Sequence, residues 1–206
     1  MPIHNGEKTL DRALDSIYMQ SFQDFEVIAV LNNCTDASEK ILENFDAKVV
    51  YCSTPGIVPA LNTGMFHCSG EYIARMDADD FWYDKKLEKQ MKHFDENPET
   101  DILGTQIRQV DTNGHVIDAQ ITYPTENHVI KHTLLNGSNC IAHPSVVFKK
   151  KITERAGLYD DSFPLAEDYY YWLRCLRWYN FANLEEVLID YTSNPNPNYD
   201  PKVPIL

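Results

Sequence analysis

Glycine is scarce in this chain, 8 residues of 206, and no glycine-rich run stands near its start. A loop that wraps phosphates through successive backbone amides is therefore not expected there. Cysteine is equally sparing. Cys34, Cys52, Cys68, Cys140 and Cys175 are odd in number, widely spaced and free of any C-x-x-C pair, which argues against a disulfide framework and a zinc site and for a reducing compartment. No apolar run approaches the roughly 20 residues of a membrane span, and no basic-then-apolar leader precedes the first polar segment. A soluble, cytoplasmic protein without a transmembrane segment is the expectation, with peripheral contact to a membrane left open. Positive charge is also short: 18 Lys and Arg stand against 31 Asp and Glu, a net charge of −13. Such a field repels nucleic acid, so no nucleic-acid partner is expected. A small nucleotide is not excluded, because a divalent cation can bridge carboxylates to its phosphates.

What is present is an alternation of helical and strand periods. Leu10, Ala13, Leu14 and Ile17 give a helix within residues 7–20, with Asn5 or Thr9 as its cap, and the apolar run from Glu26 to Leu31 reads as a buried strand. A second helix carries Ile41, Leu42 and Phe45 behind a Thr35 or Ser38 cap; then come a strand at Lys48 to Tyr51, a helix over 58–68 and a strand at Tyr72 to Met76. This predicts an α/β fold with a mainly parallel sheet covered by helices on both faces, in which ligands bind beyond the carboxyl ends of the strands. The second half predicts a helix with Leu87, Met91 and Phe94, and a hairpin turning at Asn113-Gly114 between Ile102 to Val110 and His115 to Ile117. A helix over 126–135, a strand at Ser145 to Phe148, a helix over 167–179 and a strand at Val187 to Tyr191 follow. The tail from Ser193, with Pro195, Pro197, Pro201 and Pro204, suits an extended surface segment. Met1-Pro2-Ile3 leads into the first loop with no full strand before it, so the first strand reads as truncated.

Two acidic groups stand out. Asp77-Ala78-Asp79-Asp80 places three carboxylates directly after a strand, where they repel one another unless solvated, protonated or neutralised by a cation. Hard oxygen donors suit Mg²⁺ or Mn²⁺; the alternative is an acidic turn capping the next helix. Glu167-Asp168 opens a helix whose dipole favours ionised carboxylates, either as ordinary helix-start charge or as a base free to take a proton. Arg75 alternates onto the same face as Asp77 and suits either a phosphate or the aspartates. His143, before Pro144, is a candidate ligand or a turn residue, and the run Tyr169-Tyr170-Tyr171-Trp172 suits core packing on most of its faces.

Taken in order, Pro2-Ile3-His4-Asn5-Gly6-Glu7, Leu14-Asp15-Ser16-Ile17, Gln20-Ser21-Phe22, Asp24 to Ile28, Ala60-Leu61-Asn62-Thr63-Gly64, Gly70 to Asp80, His143-Pro144-Ser145 and Ala166-Glu167-Asp168-Tyr169 followed by Trp172-Leu173-Arg174 resemble family 2 glycosyltransferases. The match is to bacterial-type enzymes that build surface polysaccharides, and it runs from Pro2 to about Tyr191. The resemblance implies a Rossmann-like GT-A fold with a mixed, mainly parallel sheet over residues 1–192, with a nucleotide-binding half (1–84), an acceptor-binding half (85–192) and the tail (193–206) outside it. It implies that Asp77 to Asp79 is the D-x-D motif: Asp77 near the ribose, Ala78 between, and Asp79 on a divalent metal, Mn²⁺ or Mg²⁺. Asp168 becomes the general base of an inverting transfer from a nucleotide-diphosphate sugar, a UDP-sugar first, to a saccharide or lipid-linked saccharide. Pro2 and His4 line the nucleoside, Asn62 and Arg75 lie near ribose or diphosphate, and Glu167 and His143 contact sugar or acceptor. The family usually has Asp-Asp-Gly-Ser-x-Asp after the second strand, and here Leu31-Asn32-Asn33-Cys34-Thr35-Asp36 stands instead. Leu31 cannot accept a base N–H, which leaves the Asn32 amide to read the base or a nucleotide other than UDP. A degenerate carbohydrate- or nucleotide-binding domain and a sugar nucleotidyltransferase are the competing readings, the latter opposed by the scarcity of glycine.

Overall fold

The computed structural model describes residues 1–163 and 165–193, so the proline-rich tail lies outside the described residues. The chain runs β1 (Pro2–Ile3), α1 (Leu10–Tyr18), β2 (Val27–Asn32), α2 (Ser38–Leu42), β3 (Ala47–Cys52), α3 (Ile57–His67), β4 (Tyr72–Ala74), β5 (Phe81–Trp82) and α4 (Lys86–Glu96). It continues through β6 (Ile102–Val110), β7 (Val116–Ile121), α5 (Asn127–Leu135), β8 (Val147–Lys149), α6 (Thr153–Ala156), α7 (Glu167–Cys175) and β9 (Phe181–Thr192). No helix among the described residues is long and apolar enough to cross a membrane.

The first half follows the sequence closely. All six residues of β2 are buried, as befits a strand covered on both faces, and β2 lies between β1 and β3 with parallel pairing on each side. A strand therefore does precede the first loop: Pro2 pairs with Val30 and Ile3 with Leu31. Two residues are too few to show a period in the sequence. The helix caps differ from expectation. Neither Asn5 nor Thr9 caps α1 through its side chain; Asn5 Oδ1 instead accepts the amide of Thr35 at 2.8 Å. At α2 the capping oxygen belongs to Asp36, whose Oδ1 accepts the Ser38 amide at 3.0 Å and whose Oδ2 accepts the Glu7 amide at 2.9 Å. The loops after β1 and β2 are thereby laced together at the end of the sheet where ligands bind.

The second half is where the mainly parallel expectation gives way. In the six-stranded sheet, ordered β4-β8-β6-β9-β5 with β7 on β6, only the β6–β9 pairing is parallel and four are antiparallel. The cause is connection length: β6 and β7 are joined by the short turn at Asn113-Gly114, with Gly114 at φ 83°, and a turn that short can only reverse the chain. Strand β9 is longer than its apolar run suggested. Its register with β6 skips between Leu184 and Val187, and this bulge carries Glu185 and Glu186 and hides the strand period. Ser145 sits in a 3₁₀ turn ahead of β8 instead of in the strand, and α7 ends at Cys175, short of 179.

Strands β6 and β9 meet at one point without slack. A Cβ on Gly104 would stand 2.1 Å from Asn183 Oδ1. Asn183 cannot retreat, because its amide nitrogen donates to the carbonyls of Pro124 and Cys140 at 2.7 and 3.0 Å. Gly104→Ala is expected to cost about 2–3 kcal/mol of unfolding free energy, read as a lower urea midpoint with an unchanged slope.

Candidate active site

Strand β4 delivers the acidic segment. Beyond Ala74, the Arg75 amide still donates to the Val146 carbonyl at 3.0 Å, so Asp77 to Asp80 leave the sheet from a fixed point. Asp77 pairs with the buried Arg75 guanidinium. Asp80 is fully buried, and its Oδ1 accepts the Thr192 amide at 2.7 Å, tying the segment to the end of β9. Its Oδ2 has no partner among the described residues. The Asp79 carbonyl accepts from Arg12 on α1 at 2.8 Å and from the Thr192 hydroxyl at 2.5 Å, which leaves the Asp79 carboxylate free of structural duty. One oxygen from each of Asp77, Asp79 and Asp80 lies within 4.8 Å of the others. Burial first, then the Asp77 charge, pushes Asp79 up to about 6, and burial with both neighbours raises Asp80 well above the usual carboxylate range. Three crowded oxygen donors, one with an orphaned lone-pair oxygen, fit a hard divalent cation.

The second acidic pair begins α7. Asp168 Oδ1 accepts the Tyr169 amide at 2.7 Å and Oδ2 accepts the Asn139 side-chain amide at 2.8 Å. Burial raises its pKa against the pull of those two bonds and of Arg75. Burial likewise raises Glu167, and its Oε2 has no partner among the described residues. Arg75 thus acts on both acidic groups, paired with Asp77 and within electrostatic reach of Glu167 and Asp168.

Two other candidates converge on Tyr159, one buried and one half-buried. His143 is 6% exposed, and its Nε2 is hydrogen-bonded to the Tyr159 hydroxyl at 2.8 Å. Burial, then Arg75, lowers its pKa well below the usual range, so the ring is neutral. Asn62 on α3 clamps the same tyrosine, donating to the Tyr159 carbonyl and accepting its amide, both at 2.9 Å. Both residues hold Tyr159 in place, and His143 does so from below the surface rather than facing a sugar directly.

Pro2, His4 and Asn32 line an open cleft of about 340 Å³ at the carboxyl ends of β1 and β2, together with Asn33, Pro55, Gly56, Ile57 and Ala60. The His4 ring is fixed by a 2.7 Å bond between Nδ1 and the Asn32 carbonyl. Asn32 is partly committed to the scaffold. Its amide nitrogen donates to the carbonyls of Cys52 and Thr54 at 3.3 and 2.7 Å, and its oxygen accepts the Gly56 amide at 3.1 Å, so the side chain shapes the cleft rim and keeps one lone pair on Oδ1 as an acceptor. The loop after β1, which carries His4 into the cleft, packs against the acidic segment: the place a Gly6 Cβ would take is 3.6 Å from Ala78 Cβ. Arg12, Asn139, Tyr159 and Thr192 escaped the sequence reading, because each meets its site partner across a long sequence separation and carries no local motif.

The sequence profile of the family described as Glycosyl transferase family 2 matches residues 1–157. The O-antigen biosynthesis glycosyltransferase WbnJ of Escherichia coli is 34% identical over 203 residues, which cover 93% of this chain and 77% of WbnJ. Among solved structures, S. aureus TarS 1-349 in complex with UDP superposes with a TM-score of 0.76 at 22% identity, covering 94% of this chain and 59% of that one. The mannosyltransferase PcManGT from Pyrobaculum calidifontis, in complex with GDP-Man and Mn²⁺, does so at 0.70 and 17%, covering 95% of this chain and 56% of its own. At these identities the structures establish the fold, a GT-A type α/β architecture, and the chain spans less than two thirds of either solved protein. The profile match over most of the chain and the extent of the likeness to WbnJ establish the lineage: this chain belongs to glycosyl transferase family 2.

Proposed function

We propose that this domain transfers a sugar from a nucleotide-diphosphate donor to an acceptor hydroxyl with inversion at the anomeric carbon, and that Asp168 is the general base. The observation that carries the reading is the division of labour between two acidic groups sharing Arg75: a crowded three-carboxylate cluster on one side and a single hydrogen-bonded carboxylate on the other. Residues 1–84 bind the donor, with Pro2 and His4 against the nucleoside and Asp77 near the ribose, and residues 85–192 receive the acceptor. Asp168 takes the acceptor proton, the freed oxygen pair forms the new bond to the anomeric carbon, and the bond to the diphosphate oxygen breaks with its electrons leaving on the diphosphate. A divalent ion, Mn²⁺ or Mg²⁺, held through Asp79, would supply electrostatic stabilisation of that leaving charge. Glu167 faces the sugar, and Asn62 and His143 act on the site through Tyr159.

The donor nucleotide is UDP in this reading, supported by the UDP complex of TarS, and the acceptor is a saccharide or lipid-linked saccharide, supported by the O-antigen role in the name of WbnJ. The five free thiols suit the cytoplasm. Calorimetry with UDP, GDP and dTDP, each with and without Mn²⁺, tests it. Metal-dependent binding of one nucleotide at least tenfold tighter than its metal-free binding is expected. Binding of free sugars alone, with no nucleotide heat, would overturn the proposal in favour of a degenerate binding domain.

A further inference from the structure

We infer that Asn139 is a positioning residue for Asp168, holding the base carboxylate in one rotamer and keeping it ionised for proton transfer; this rests on the base reading above. Asn139 closes the loop that leaves α5 through Gly137, at φ 87°, and stands 29 residues from Asp168 in sequence. Its amide cannot be turned over without loss. The oxygen accepts the Ile141 backbone amide at 3.2 Å, which directs the nitrogen to Asp168 Oδ2 at 2.8 Å. The opposite oxygen of the carboxylate is held by the Tyr169 amide. The two donors approach different oxygens, so together they fix both the tilt and the twist of the carboxylate. Each oxygen keeps a second lone pair for an incoming hydroxyl.

The chemistry of the pair favours the same conclusion. An N–H donor stabilises the ionised carboxylate over the neutral acid, and here it works against burial, which alone raises the group. The other charged and titratable groups bearing on Asp168 are Arg75, which favours the ionised form, and its helix neighbour Glu167, with Tyr159 and Tyr123 lying within electrostatic reach. None of these bonds the carboxylate, so removing Asn139 leaves Oδ2 without a donor among the described residues.

The test is the pH profile of kcat for sugar transfer in Asn139→Ala and in the isosteric Asn139→Asp, beside Asp168→Asn, with melting temperatures to verify folding. Loss of a donor to the ionised form raises the folded pKa, so the acid limb of Asn139→Ala should move up by about half a pH unit or more. The deficit should be severalfold larger near the foot of the limb than on the alkaline plateau, where only the loss of orientation remains. Asn139→Asp, which brings a second negative charge to the same place, should move the limb further. A uniform loss at every pH, no change at all, or a limb displaced to lower pH would overturn the role of Asn139. An Asp168→Asn variant that keeps its transfer rate would instead overturn the base assignment, so the two failures are distinguishable.

Discussion

Asp168→Asn is expected to lower the transfer rate by about 10³-fold while leaving metal-dependent nucleotide binding within twofold of the parent. The substitution keeps the volume of the side chain and removes its charge and its ability to accept a proton. It lies on α7, whereas the residues proposed to hold the nucleotide lie on β1, in the loop after it and in the segment after β4, so the donor site should be left intact. One of its two contacts suffers. The amide that replaces the carboxylate has a single oxygen, which can accept from the Tyr169 amide or from the Asn139 amide, but not from both in the present geometry. That defect should appear as a modest rise in acceptor KM.

Folding should move the other way. Burial raises the Asp168 pKa in the folded chain. The folded state therefore binds more protons than the unfolded state between the unfolded and folded pKa values, and stability falls as pH rises through that window. A neutral amide does not titrate, so the variant should lack this loss on raising the pH and melt no lower than the parent at pH 8. Progress curves with donor and acceptor, together with thermal melts at pH 5 and pH 8, check both halves. A dead enzyme that also melts early would speak for damage to α7 rather than for lost base chemistry.

Much of the fold was legible because the first half obeys two simple periods. Leu10, Ala13, Leu14 and Ile17 are all buried on α1, and the run from Val27 to Leu31 fills a strand covered on both faces. The second half resisted for identifiable reasons. The bulge at Glu185 and Glu186 broke the period of β9, and β5 is only two residues long. The site divided in a similar way. Asp77, Asp79, Glu167 and Asp168 announced themselves because acidic residues cluster locally in each case. Arg12, Asn139 and Thr192 did not, since a hydrogen bond formed across 67, 29 or 113 residues leaves no trace in either neighbourhood. Asn32, at the end of β2, was legible only in part, because the bonds from its side chain to Cys52, Thr54 and Gly56 again cross twenty or more residues.

Asp79→Asn should abolish the metal dependence of nucleotide binding and reduce transfer by at least about 10²-fold, and it should do so without disturbing the scaffold. The reason lies in how the three aspartates divide their duties. Asp80 is fully buried and bonded to the Thr192 amide, and Asp77 is paired with Arg75, so loss of either carboxylate strands a partner. Asp79 anchors the segment through its backbone carbonyl, which the substitution keeps, while its carboxylate is pushed up to about 6 by burial and by Asp77. In metal-free protein that carboxylate is repelled by its neighbours at neutral pH, and removing its charge should raise the melting temperature by about 2–4 °C. In the presence of Mn²⁺ and nucleotide the order should reverse, because only the parent gains the stabilisation of ligand binding. Melts of both proteins in EDTA and in Mn²⁺ with UDP measure this crossing directly. A variant that melts below the parent in EDTA would assign Asp79 a structural role, and one that keeps its Mn²⁺-dependent shift would move the metal to its neighbours.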